Sequence, residues 1–321
     1  AESGSRVSPA TLDILDPPSL DAFCAACSVI LNCAGPVTVL RDRVAQAARR
    51  ARCHYIDPAG MSVVKEQLVP HHQTLLDQGL SFVVSAGWNP GLTECLPLHA
   101  WQQAQTRLES IDAVEVYFAD SGDWSNSALL DGVAHLRAVG VPKPGYFRRG
   151  EWVRASTAQA SRQIDIGSPV GRRRFSLFTL PELNEAGRSL THCDFRSYAY
   201  LAGLRNALDA LMIALLPLSD ASAVRRLQNI FRRNRLDVGG FVIARVLGQR
   251  QGREAVCRSC LTFPHGRDYW MHAVVLATVA RLVAGGNAVR PGVHFLFEAL
   301  DRDVLMAELR GAGVGFTEAC E

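Results

Sequence analysis

Ser28-Val29-Ile30-Leu31-Asn32-Cys33-Ala34-Gly35-Pro36 is the stretch whose reading decides the fold. Val29–Leu31 is a continuous apolar run, as a strand buried on both faces of a parallel sheet requires. The small residues and proline that follow read as a turn at the strand's C-terminal end, where ligands bind in open α/β sheets.

The pattern then repeats. Thr38–Arg52 has helical apolar spacing, and His54–Ile56 is a short strand ending at Asp57-Pro58-Ala59-Gly60. Ser62–Gln78 predicts a helix. Leu80–Ser85 predicts a strand that ends at Gly87-Trp88-Asn89-Pro90-Gly91, and Leu92–Gln105 predicts the next helix. Upstream, residues 6–16 read as a strand, and Pro17-Pro18-Ser19 as a helix start capped by Ser19. Strand–helix alternation with short connections calls for an α/β fold with a partial Rossmann-type doubly wound parallel sheet. Right-handed crossovers place every strand's C-terminal end on one edge. Asn32–Pro36, Asp57–Gly60 and Gly87–Gly91 are therefore expected to converge.

From Leu108 the pattern changes. Ile111–Ala119 and Phe147–Ala155 alternate, Thr179–Pro181 and Phe195–Leu201 look strand-like, and Leu204–Asn234 reads as one or two helices broken near Pro217. Phe241–Phe263 predicts a hairpin turning at Gly248–Gly252. These pieces predict a second, mixed α+β domain on an antiparallel sheet. Tyr269–Ala284 predicts a buried helix, Arg290–Val293 a turn, and Asp303–Arg310 a last helix that returns to the first domain. The expected organisation is 1–107 nucleotide-binding, 108–267 substrate and dimerisation, and 268–321 C-terminal helices.

Composition excludes several classes. The 321 residues are 48% hydrophobic and 20% charged, and the net charge of +3 is too small to predict nucleic-acid binding. The polar start at Ala1–Ser5 and the lack of a long apolar run predict neither signal peptide nor membrane span. Nine cysteines, mostly dispersed, predict reduced thiols in a cytoplasmic protein. Cys24/Cys27 and Cys257/Cys260 are Cys-x-x-Cys pairs too far apart in sequence to form one zinc site, so buried thiols and no metal are expected. No nucleophile elbow, phosphate-binding Gly-x-x-x-x-Gly-Lys or His-Glu-x-x-His occurs, which leaves hydrolase and nucleotide-kinase chemistry without support.

The strand-end turns carry the functional reading. Asn32, Cys33, Ala34, Gly35 and Pro36 suit close approach of a dinucleotide, although any strand end can hold Gly and Pro. In Gly87–Gly91, Pro90 can open a helix that Asn89 caps, which offers an N-terminus to an anion. Trp88 would then cover nicotinamide or substrate; a plain turn with a core Trp is the alternative. Asp13 could accept from an adenine amine or simply be a solvated turn residue.

The order Asn32-Cys33-Ala34-Gly35-Pro36, His54-Tyr55-Ile56-Asp57, then Gly87-Trp88-Asn89-Pro90-Gly91-Leu92 resembles the saccharopine dehydrogenase-like oxidoreductases. In that family "N-C-A-G-P" is followed by "H-Y-x-D" and a "G-x-x-P-G-L" turn. The resemblance covers about residues 8–105 and 268–313. It implies NAD or NADP as cofactor, held by Asp13, Asn32–Pro36, Asp57 and Gly87. Trp88, Asn89 and Gly91 would face a small-molecule substrate. It also implies hydride transfer at a carbon–nitrogen bond (an imine or secondary amine derived from an amino acid) and a homodimer.

Three departures stand out. The family's Gly-rich phosphate loop belongs to a strand–helix unit expected to precede residue 1. Asn89 stands where saccharopine-forming members commonly carry Asp, and Met61 where many relatives carry an acid. No catalytic acid or base is assigned by the sequence. A non-catalytic dimeric binding or scaffold protein is the competing expectation.

Overall fold

A computed structural model describes residues 7–140, 143–234, 236–286 and 288–321. The first unit runs α1 (Pro17–Ala25), β1 (Val29–Leu31), α2 (Val37–Leu40), α3 (Arg43–Ala51), β2 (His54–Ile56), α4 (Met61–Leu68), α5 (His72–Asp77), β3 (Ser81–Val84) and α6 (Leu92–Ala104). β1, β2 and β3 pair in parallel in that order, with Val29 opposite His54 and Tyr55 opposite Phe82.

Residues 7–16 form no strand; they run as coil into a turn at Ile14-Leu15, and residue 6 lies outside the described residues. α1 begins with Pro17 in its first turn, but Asp16 is its N-cap and Ser19 caps nothing. Two expected helices are broken. Arg41, at φ 52°, separates α2 from α3, and a 3-10 turn containing Pro70 separates α4 from α5. Proline lacks the amide that a continuous helix needs there.

The second unit runs β4 (Ser110–Asp120), α7 (Asn126–Val139), β5 (Gly145–Arg148), β6 (Glu151–Arg154), β7 (Ser161–Asp165), β8 (Arg172–Leu177), α8 (Pro181–Ser189), β9 (Asp194–Tyr200), α9 (Gly203–Leu215), α10 (Asp220–Arg233), β10 (Gly240–Arg250) and β11 (Arg253–Phe263). Thr179-Leu180-Pro181 is not a strand: Pro181 starts α8. β10 and β11 form the expected hairpin. Most pairings in this sheet are antiparallel, but β4 and β9 pair in parallel, so the sheet is mixed. β4 is buried on both faces. Val114, Val116 and Phe118 join the main core, while Tyr117 and Ala119 pack beneath the β7–β8 hairpin.

The chain ends with α11 (Asp268–Ala284), β12 (Gly292–Phe295), α12 (Leu296–Ala299), α13 (Arg302–Gly311) and β13 (Phe316–Cys320). The expected turn at Arg290–Val293 is instead the entry to β12, which adds to the parallel sheet beside β3. The order of that sheet is β1-β2-β3-β12. β13 pairs with β11 at the edge of the other sheet.

The thiol expectation also changes. Cys257 is bonded to Cys320, whereas Cys24, Cys27, Cys33 and Cys260 are free. Successive strand residues face opposite sides, so Cys257 and Cys260, three apart, point into different cores and cannot act as one pair.

One apolar core joins both sheets through α6 and α11. A separate cluster of Leu129, Val133, Ile213, Ala223, Leu227 and Ile230 holds α7, α9 and α10 together as a three-helix cap.

Candidate functional site

The three strand-end turns meet at one edge. Asn32 N donates to Ile56 O at 2.9 Å, Asp57 N to Val83 O at 3.1 Å, and Ala86 N to Asp57 O at 2.7 Å. They wall a cavity of about 630 Å³, closed on the far side by α7, α9, α10 and the first half of α11. Its surface is mainly apolar, as small-molecule sites are.

Asn32, Cys33, Ala34, Gly35, Asp57, Trp88 and Asn89 are on the wall. Gly87 and Gly91 lie behind it and shape it. A Cβ on Gly87 would stand 2.4 Å from His272 Nδ1 and 2.7 Å from Pro58 O. Gly91, at φ +128°, leaves 2.1 Å between a Cβ and Gly87 O. Both positions exclude any side chain. Pro36 is not on the wall, and Asp13 sits in an exposed turn outside the cavity, accepting from Leu15 N at 2.8 Å.

Gly91, not Asn89, is the N-cap of α6, and Pro90 precedes it. Glu94 fills this N-terminus: its carboxylate accepts from Gly91 N at 2.6 Å and from Thr93 Oγ1 at 2.8 Å. The anion site expected from the sequence is thus occupied by the protein's own buried acid. Trp88 is 1% exposed and packs edge-on against Phe263 with centroids 5.0 Å apart. Trp88 N donates to His272 Nδ1 at 3.4 Å. Burial lowers His272 to about 4, so its imidazole is neutral at physiological pH.

Asp57 is the buried acid of the wall. It accepts from Ser85 N at 3.2 Å and from Gly60 N, while its Oδ2 has no partner. Burial raises it to about 6 despite those amide bonds. Tyr55 Oη accepts from Asn32 Nδ2 at 3.0 Å, and burial beside Asp57 holds its proton on. Behind Asp57, Ser85 Oγ accepts from Met61 N at 3.0 Å and donates to Glu182 Oε1 at 2.7 Å. Burial raises Glu182 to about 7 and, with Glu182 nearby, Glu94 to about 8. A line of buried carboxyls with raised pKa values therefore backs the sheet edge.

Sequence reasoning missed the opposite wall. Asp120 ends β4 and accepts from Gly122 N at 2.6 Å and from Trp124 Nε1; burial, with Asp268 nearby, raises it to about 6. Its signal was the one used elsewhere, an Asp-Ser-Gly turn after an apolar strand. Asp268 and His272 share a face of α11 at i and i+4, a spacing visible in the sequence. Asp131 on α7 accepts from Val37 N at 2.9 Å and from Thr38 N at 3.0 Å, fastening the cap to α2.

An α/β protein with a parallel and a mixed sheet, whose cavity lies at the strand ends of the parallel one, is the class that fold and site define. Within it, residues 1–91 match the family model described as the saccharopine dehydrogenase NADP binding domain, so the resemblance to saccharopine dehydrogenase-like oxidoreductases is shown. A probable mitochondrial saccharopine dehydrogenase-like oxidoreductase of Arabidopsis thaliana is 33% identical over 82 residues, which are 26% of this chain and 18% of that protein. The chain thus matches about a fifth of the relative's length. The apo saccharopine dehydrogenase (L-Glu forming) of Saccharomyces cerevisiae superposes with a TM-score of 0.66 at 14% identity, covering 97% of this chain and 88% of that one. This likeness shows the fold. No helix among the described residues is long and apolar enough to cross a membrane, and none of their His, Cys, Asp and Glu clusters could hold a metal ion.

Proposed function

We propose that this chain acts in an NAD(P)-dependent oxidoreductase that moves hydride between the nicotinamide and a carbon–nitrogen carbon in the cavity described above. The observation that carries the reading is the convergence of three strand-end turns on one apolar cavity, within a chain whose first 91 residues match an NADP-binding domain model. The cavity fits the nicotinamide end of such a cofactor: glycines at 87 and 91 keep backbone where a side chain would intrude, and Asp57 Oδ2 is buried without a partner.

When bound, the dinucleotide supplies or accepts the hydride. The chain positions and excludes water. Ala34 and Gly35 allow close approach beside the ring, with Asn32 held by Tyr55. Trp88, fixed by Phe263 and His272, closes the floor. Reduction of a carbon–nitrogen double bond requires a proton at nitrogen, and Asp57, whose pKa burial raises and whose Oδ2 has no partner, is the wall carboxyl placed to relay one.

Titration of the full chain with NADPH and NADH tests the reading, followed by energy transfer from tryptophan to the nicotinamide. Saturable binding of either is expected. Absence of binding by both would overturn it. A homodimer is the assembly proposed, supported by exposed Leu204, Leu208, Leu211 and Leu215 along one stripe of α9. A monomer mass in sedimentation would refute it.

A further inference from the structure

Charge sorts the cavity further, and the inference rests on that cavity being the substrate chamber of the proposed oxidoreductase. Among the described residues that line it, none is Arg or Lys. Four are acids: Asp57, Asp120, Asp131 and Asp268. His135 and His272 also line it, and burial lowers the pKa of both imidazoles, which disfavours a cation at either.

Helix N-termini are the other means of holding an anion, and several around this cavity already carry an acid or a cap. Asp131 accepts from the first amides of α2. Glu94 fills the start of α6. Ser125 Oγ caps α7 by accepting from Ala128 N at 3.2 Å. Asp268 stands in the first turn of α11. A substrate carboxylate would enter with no cationic side chain to pair with, and an unpaired buried carboxylate is strongly disfavoured.

The acids themselves point to the opposite sign. A Cβ on Gly122 would lie 2.6 Å from Asp268 Oδ2 and 3.0 Å from Asp120 Oδ1, so these two wall carboxyls sit close together around one glycine. Across the chamber, Asp57 is 2% exposed and its Oδ2 is unpartnered. Between these polar ends the cap contributes Trp124, Leu136, Leu201, Leu227, Ile230 and Phe231.

We propose that the chamber takes a hydrophobic amine, or the imine related to it, with an apolar body under the three-helix cap, a nitrogen head between the acidic walls, and no carboxylate. An amino-acid-derived substrate, the expectation drawn from the family resemblance, would find no Arg or Lys for its carboxylate among the described lining residues.

Two probes with the same body and opposite heads test this: 4-phenylbutylamine and 4-phenylbutyrate, with L-glutamate as a third. Each is titrated into the full chain at neutral pH, with and without NADPH, and read by tryptophan fluorescence. The amine is expected to bind about tenfold or more tightly than either carboxylate. Asp268→Asn and, separately, Asp120→Asn are expected to cut that preference several-fold. A carboxylate that binds as well as the amine, binding by none of the probes, or a preference unchanged in both variants would overturn the proposal. NADPH binding with a carboxylate preference sinks this inference alone. An amine preference without NADPH binding sinks the oxidoreductase reading and leaves the chamber's selectivity standing.

Discussion

Replacing Glu94 by glutamine isolates the cost of the buried acid at the start of α6. Glu94 is fully buried and its pKa moves from 4.5 to about 8, first through burial and then through the neighbouring Glu182. Between those two pH values the unfolded chain has released this proton while the folded chain keeps it. The folded state binds more protons, so stability is full below pH 4.5 and falls as pH rises toward 8. The interval corresponds to about 5 kcal/mol if Glu94 titrates alone. Coupling to Glu182 spreads the effect over the pair and lowers the share recovered by one substitution to roughly 2–4 kcal/mol. Glutamine keeps a carbonyl to accept from Gly91 N, so at pH 5 the variant is expected within about 1 kcal/mol of the parent. At pH 8 it should be more stable than the parent by the larger figure. Urea unfolding followed by tryptophan fluorescence at both pH values measures the difference. Parallel pH profiles for variant and parent would refute the argument, because they would mean that Glu94 ionises in the folded chain as easily as in the unfolded one.

Other perturbations probe the walls. Gly87→Ala places a methyl against His272 and Pro58 O; overpacking of this kind costs about 2–3 kcal/mol, and a melting curve matching the parent would contradict the contact. Asp131→Ala removes acceptors for two α2 amides and the Thr38 hydroxyl, a cap-type loss of about 1–2 kcal/mol. Thermal denaturation should show that loss, and unchanged stability would mean that the link between α2 and α7 is idle.

The nucleotide-type half of the fold was legible because its strands are unbroken apolar runs closed by Gly, Pro, Asn or Asp. His54–Ile56 and the start of α6 follow directly from that punctuation. β12 escaped because Gly292–Phe295 is too short to show a period and follows a Pro-Gly pair that signals a turn. α7 escaped although Ser125 and the Leu129, Val133, Leu136 spacing mark a helix. Gly132 in its middle reads as a breaker, yet there it admits Leu227 Cδ2, only 2.8 Å from where a Cβ would be. With α7 went the cap, and with the cap the far wall of the cavity.

Half of the cavity's lining was therefore visible in the sequence and half was not. Asn32–Gly35, Asp57, Trp88 and Asn89 announce themselves by position after a strand. Asp120, Asp268 and His272 come from distant segments, and only tertiary packing brings them to one chamber. The Glu94 cap could not be weighed from sequence either, because Gly-x-x-Glu signals a helix start without saying that the start is buried. Cys257 looked local in its Cys-x-x-Cys setting, but its partner arrives on the last strand.

That last strand completes a weave. The chain passes from the parallel sheet to the mixed sheet after α6, returns for β12, and crosses again to lay β13 against β11, where Cys320 ties it. Three separate crossings resist hinging, because any rotation of one sheet against the other must bend all of them together. The cap has a different standing: its helices share a core of their own and lie outside both sheets. The cap is tied to the parallel-sheet unit at points such as the contact of Asp131 with α2, so the stitched pair of sheets, not the cap, sets the shape of the chamber floor.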